Sequence, residues 1–159
     1  MPPWYWLVGG VLLIGAAAVL IFWRRLHLFG RAVQVERARE LFLLQRERLE
    51  TSFFKEAAAT GKPRGLLWKQ CDFEKQLELA RDRHTGQLVA LVPVTIQFEA
   101  VEGSDMEGLP AVGNLRNASA VFFFQRGKWL TTGKAVFNFN PGEALEHFKK
   151  QYERVVGSG

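Results

Sequence analysis

With 159 residues, 48% of them apolar and 23% charged, the chain has the mixture of a folded protein with room for one domain, which excludes disorder and a second core. The net charge of +5 gathers near one segment: residues 24–40 hold Arg24, Arg25, Arg31, Arg37 and Arg39 against Glu36 and Glu40, leaving only a small excess elsewhere and no basic stripe for nucleic acid. Cys71 is the only cysteine, so no intramolecular disulfide forms and a reducing compartment fits.

Residues Trp4 to Trp23, WYWLVGGVLLIGAAAVLIFW, contain no charged side chain. At about 1.5 Å per helical residue they match the roughly 30 Å hydrocarbon core of a bilayer. Trp4, Tyr5 and Trp6 stand at one end and Phe22 and Trp23 at the other, where aromatic rings favour the membrane interface. Arg24 and Arg25 follow at headgroup level. The expectation is a single-pass transmembrane anchor. A cleaved signal peptide is the weaker reading, because the segment before the apolar run has no Lys or Arg and the run continues past Ala16, Ala17 and Ala18. The arginines after the span place the N-terminus outside and the rest in the cytoplasm, as in a bacterial inner membrane. Gly9, Gly10 and Gly15 show no G-x-x-x-G spacing, which favours small lipid-facing residues over a dimer seam.

Residues 1–30 thus read as anchor and basic juxtamembrane segment, with Gly30 either a bend or a residue the helix runs through. Residues 31–155 read as a small α+β domain. From Ala32 to Thr60 the sequence is rich in Ala, Glu, Arg and Leu and lacks Pro and Gly, which predicts a helix over 32–60. Val35, Ala38, Phe42, Leu49, Phe53 and Ala57 form one stripe at 3.6-residue periodicity. Arg46 interrupts that stripe, and Leu43 and Leu44 lie off it, which points to a second contact surface or an incompletely packed stem. Gly61–Lys62–Pro63 is expected to end the helix.

After Pro63 the period changes to two. Residues 65–73 and 75–83 read as strands, His84–Gln87 as a turn, and 88–101 as a long strand with Val92, Val94, Ile96 and Phe98 on one face. Pro93 has no N–H to donate, which predicts a bulge or an edge there. Residues 102–117 read as loop, and 118–126 and 128–139 as two further strands within the 65–139 strand region. A helix over 141–155 follows, with Asn140 as its cap and Pro141 at its first position. Residues 156–159 read as a flexible tail. The fold class is α+β: a transmembrane helix, an amphipathic helix, an antiparallel meander of about five strands curled around it, and a short C-terminal helix.

This element order, over residues 32–139, resembles the cystatin-like and nuclear-transport-factor-like folds. The resemblance implies a binding scaffold, a membrane-complex subunit, a small-ligand receptor or, in a few members, an isomerase or dehydratase.

Candidate chemistry is sparse. His84 stands near Asp82, but a turn histidine among hydrophilic residues reads as surface rather than as an acid–base group. Cys71 has Lys69 and Lys75 nearby and no persuasive histidine, which reads as a structural thiol. Glu102, Asp105 and Glu107 lie in a Gly-containing loop, yet Gly103 and Ser104 stand where a calcium loop needs ligands. Three scattered histidines give no zinc spacing. No catalytic residue, cofactor or metal is expected.

The aromatic load is the strongest remaining feature. Alternation sends Phe122 and Phe124 to one sheet face and Phe123 to the other, so one face packs on the helix and the second needs a cover. The C-terminal helix (through Leu145, Phe148 and Tyr152), a ligand or a partner would supply it. The expected function is a membrane-anchored, non-catalytic scaffold or accessory subunit of a membrane complex. Its partners are the lipid bilayer and either another membrane protein or a second copy, through Leu43, Leu44, Phe122, Phe124 and Trp129. The alternative is a small-molecule ligand or an isomerase-like activity in a pocket between helix and sheet.

Overall fold

The computed structural model describes residues 4–60 and 65–155, and for residues 4–8 and 27–29 the helical backbone alone. The expected helix stop at 61–63, the side chains of Trp4, Tyr5 and Trp6, and the tail at 156–159 lie outside the described residues. Helix α1 (Trp4–Leu44) begins in the apolar run and continues unbroken through Gly30. Helix α2 (Arg46–Thr60) follows after one irregular residue. There the Gln45 N–H is shared between the Leu41 and Phe42 carbonyls at 3.2 Å each.

The 3.6-residue stripe is the buried face of these helices. Val35, Ala38, Phe42, Leu49, Phe53 and Ala57 are all buried, and Phe42 and Phe53 are fully so. Removing such side chains from water is worth about 1.5–3 kcal/mol each, far more than helical propensity supplies. Arg46 sits within the stripe because its guanidinium has partners there. Nε donates to Glu50 Oε1 at 2.7 Å, and the two terminal nitrogens donate to the backbone carbonyls of Glu74 and Lys75. It therefore ties the start of α2 to a loop of the sheet.

Seven antiparallel strands form that sheet: β1 (Leu66–Phe73), β2 (Glu78–Asp82), β3 (Leu88–Ala100), β4 (Arg116–Gln125), β5 (Lys128–Leu130), β6 (Ala135–Phe137) and β7 (Tyr152–Arg154). β3 is the spine. On one side it pairs with β4, whose outer edge carries β5 and β6 in succession. On the other side it pairs with β1 and then β2, with β7 beyond β2. A 3₁₀ turn at Pro110–Gly113 interrupts the long β3–β4 connection.

Three expectations need correcting. Pro93 lies neither at a bulge nor on an edge strand: it sits in the spine, between the rungs Phe73–Val94 and Glu78–Leu91 where one neighbour ends and the next begins. The missing N–H falls in that gap, and the Pro93 carbonyl accepts from the Glu74 N–H at 3.0 Å; the bulge is in β1, between Trp68 and Gln70. The stretch 128–139 is two short strands, because Gly133 turns left-handed (φ +73°) against the backbone of Ala57. The last helix, α3 (Pro141–His147), stops well before Val155; the chain then turns and Tyr152 pairs with Asp82 in β7. Its start is as expected: the Asn140 side chain accepts from the Glu143 N–H at 2.8 Å, and the Glu143 carboxylate accepts from the Asn140 N–H at 3.0 Å.

One face of the sheet is covered by α1 and α2 and part of the other by α3. Against α1 and α2 lie Ala90, Val92, Val94, Ile96, Phe98, Phe122 and Trp129. Phe42 meets Phe122 and Trp129 edge-on at 5.2 Å each, and Phe53 meets Phe73 at 5.6 Å and Phe122 at 5.8 Å. The space between helix and sheet is thus filled by aromatic rings. On the second face, α3 packs Ala144 and Leu145 against Ala80, Val89, Leu91, Val121 and Tyr152, so the C-terminal helix is the cover.

Candidate functional site

Among the described residues, one helix is long and apolar enough to cross a membrane, and it lies near the N-terminus. In α1, Phe22 and Trp23 are exposed at the end of the apolar run, followed by Arg24 and Arg25. Among the described side chains of α1, Val35 is the first that is buried. Residues 24–34 therefore form a helical spacer of about 16 Å between the apolar span and the domain.

The expected contact residues separate into two groups. Phe122 and Trp129 are buried and belong to the core, because both rings pack on Phe42. The Trp129 indole N–H also donates to the Ala38 carbonyl at 2.7 Å, which fastens β5 to the stem. Phe124 is half-buried beside Trp129 at 5.1 Å. Alternation had placed these rings on one face without showing that the stem lies on it.

Leu43 and Leu44 are exposed, at 51% and 82%. On a helix they point about 100° apart, so they do not form one patch. Leu43 is flanked one turn away by Arg39 and Glu47, and Leu44 by Glu40 and Arg48. Arg48 lines a groove between α2 and β5 of about 310 Å³, whose far wall is Lys128, Leu130 and Thr131. Leu130, 43% exposed, stands at its mouth. Arg48 and Leu130 thus face each other across this groove, with Glu56 also in its lining, and Leu130 had no sequence signal beyond strand alternation.

A second cleft, about 450 Å³, opens on the half of the sheet that α3 leaves bare. Glu74, Thr95, Arg116, Asn117, Asn138 and Glu143 line it. Thr95 and Asn117 face each other across the ladder, as do Thr95 and Asp72. The cleft is polar and open to solvent, with hydrogen bonds among its own groups such as Thr95 Oγ1 to Asn117 Oδ1 at 3.4 Å.

The titratable candidates have structural employment. The Asp82 carboxylate accepts from the Thr85 N–H at 3.0 Å and the His84 N–H at 2.8 Å, and these bonds, that from Thr85 foremost, hold its pKa below the usual carboxylate value. It closes the β2–β3 turn, and His84 is exposed in that turn. Cys71 is half-buried, and burial together with the neighbouring Asp72 charge pushes its pKa up to about 12. A thiol so poised is a poor nucleophile near neutral pH. Glu107 Oε2 accepts from the Gly103 N–H at 2.8 Å, so this carboxylate shapes its own loop. No group of three or more potential metal ligands occurs among the described residues.

Comparison with protein-family models, with curated proteins and with solved structures returns no match to this chain.

Proposed function

We propose that this chain is a membrane-anchored interaction protein, a non-catalytic accessory subunit that presents a small α+β domain to a partner in or near the bilayer. One observation carries the reading: a single helix leaves the apolar span and ends in the aromatic core of the domain, so anchor and domain form one connected body. A tether alone would need only a loose linker. The rings of Phe42, Phe53, Phe122 and Trp129 occupy the layer in which a small-ligand pocket would lie, and this favours recognition at the surface. The arginines that follow the span put the domain on the cytoplasmic side.

Contact is assigned to the exposed stem residues Leu43 and Leu44. The test is purification of the intact chain from its native membrane in mild detergent, with quantitative mass spectrometry of what accompanies it. A membrane protein or a second copy at stoichiometric level is expected, and it should be lost from Leu43→Asp/Leu44→Asp. Both substitutions are at solvent-exposed sites, so thermal unfolding should stay within about 0.5 kcal/mol of the parent. A monomer without companions defeats the subunit reading. A companion retained by the double variant moves the contact elsewhere on the surface.

A further inference from the structure

Resting on the reading that α1 spans a bilayer, we propose that one end of the sheet docks on the anionic lipid headgroups of that same bilayer. The charge of the domain, nearly balanced in sequence, is sorted by the fold. Three connections meet at one end: β2–β3 (83–87), β4–β5 (126–127) and α3–β7 (148–151). The first and third are joined by the Arg83 N–H to the Gln151 carbonyl at 2.8 Å and Arg83 Nε to the Lys149 carbonyl at 3.1 Å. Together they hold Arg83, Arg126, Lys149 and Lys150 and no Asp or Glu, and Lys128 begins β5 beside them. At the opposite end, the β3–β4 connection (101–115) holds Glu102, Asp105 and Glu107 and no Lys or Arg, with Arg116 beginning β4 beside it.

The helix contacts show which end faces the membrane. Phe42 meets Phe122, whose partner on the spine is Ala90. Further along the helix, Phe53 meets Phe73 and Trp68, whose partners are Val94 and Phe98. The helix therefore advances in the direction of β3. Followed backward from Phe42, the helix reaches Val35 after about 10 Å and β3 reaches Leu88 after about 7 Å. The basic turns thus lie level with the first packed turn of α1, on the side from which the spacer runs to the anchor.

The acidic neighbours do not cancel this end. Asp82, an ionised carboxylate held by the backbone of its turn, Glu146 and Glu153 bring three negative charges against the five positive ones of Arg83, Arg126, Lys128, Lys149 and Lys150. Glu153 lies 3.6 Å from Arg83, and Glu146 lies 3.0 Å from Lys149. Arg126, Lys128 and Lys150 have no ion pair among the described residues. The 16 Å spacer, less a headgroup layer of about 5–7 Å, leaves roughly one Debye length, which an ordinary helix tilt closes. Acidic phospholipid is the counter-charge that the anchor itself supplies at this distance. Each basic residue brought to such a surface strengthens association about fivefold at low salt.

The test uses the full chain reconstituted in vesicles, with Cys71→Ser and a donor dye on Thr85→Cys in the β2–β3 turn. Energy transfer to an acceptor on lipid headgroups is compared between pure phosphatidylcholine and a mixture with 30 mol% phosphatidylglycerol. Transfer should rise in the anionic vesicles, and fall back in 0.5 M salt and in Arg126→Asn/Lys128→Glu/Lys150→Glu. Equal transfer in both vesicles, with the chain resisting alkaline extraction, overturns docking while leaving the anchor intact. Release of the chain by alkaline extraction overturns the spanning reading and docking with it. The lipid and salt responses of the unreversed chain decide the matter even if the triple variant misfolds.

Discussion

Gly133 and Gly86 offer a matched pair for measuring how tightly the β5–β6 connection is pressed on α2. Both are left-handed, at φ +73° and +70°, so alanine at either carries a backbone cost of about 1 kcal/mol. They differ in surroundings. A Cβ on Gly86 would meet nothing within 4 Å, whereas one on Gly133 would stand 2.2 Å from Ala57 N and 2.6 Å from Ala57 Cα. Those atoms belong to helix backbone and cannot rotate aside. Relief requires α2 and the connection to part by more than about 1 Å, which forfeits a quarter to a half of the dispersion contacts along that seam and adds about 1–3 kcal/mol. Gly86→Ala should therefore cost about 1 kcal/mol and Gly133→Ala about 2–4 kcal/mol. At roughly 4 °C per kcal/mol for a domain of this size, melting should fall by about 4 °C and by about 8–16 °C. The assay is thermal unfolding of the full chain in detergent, followed by the fluorescence of the buried Trp68 and Trp129. Equal losses at the two positions would refute the argument that close approach, beyond a positive φ, demands glycine at 133.

Replacing Arg46 by Ala should cost about 1–2 kcal/mol, because it strands the Glu74 and Lys75 carbonyls and the partly buried Glu50. Arg46→Lys should recover little of this, since an ammonium does not span three acceptors as a planar guanidinium does; chemical denaturation of both variants checks it. Cys71 should react with a maleimide at pH 8 far more slowly in the folded chain than in urea, and equal rates would contradict its burial. The linked effect has a definite sign. The folded thiol keeps its proton where the unfolded one loses it, so stability holds below pH 9 and declines as pH rises from about 9 to about 12.

The sequence showed one layer of this fold more clearly than the others. All six residues of the helical stripe are buried, because a long helix against one sheet leaves a period that no local conflict obscures. The even-numbered face of β3 was legible for the same reason. The ends of elements were harder to read. Leu145, Phe148 and Tyr152 have helical spacing, but Tyr152 is drawn into the sheet by Asp82, a partner 70 positions earlier in the chain. The division of 128–139 depends on Gly133 meeting Ala57, a contact with no local signature. Phe122 and Trp129 showed alternation without showing which face the stem occupies. Arg46 was visible as a charge in an apolar stripe, and only the β1–β2 carbonyls explain it. The sorting of charge between the two ends of the sheet had no trace in composition, since the basic turns are up to about 65 residues apart in the chain.

The stretch of α1 between Trp23 and Val35 sets more than a height. Because the helix enters the domain core without a flexible joint, each residue of that stretch fixes a compass bearing. Inserting one residue raises the domain by about 1.5 Å but turns it by about 100° about the helix axis. Two insertions would turn the groove beside Leu130 to the far side of its neighbours in the membrane plane. Seven would bring it nearly back, about 10 Å higher. The count of residues in this segment is therefore an angular setting, and a lineage that kept it helical while changing its length would present a different flank to whatever lies beside it.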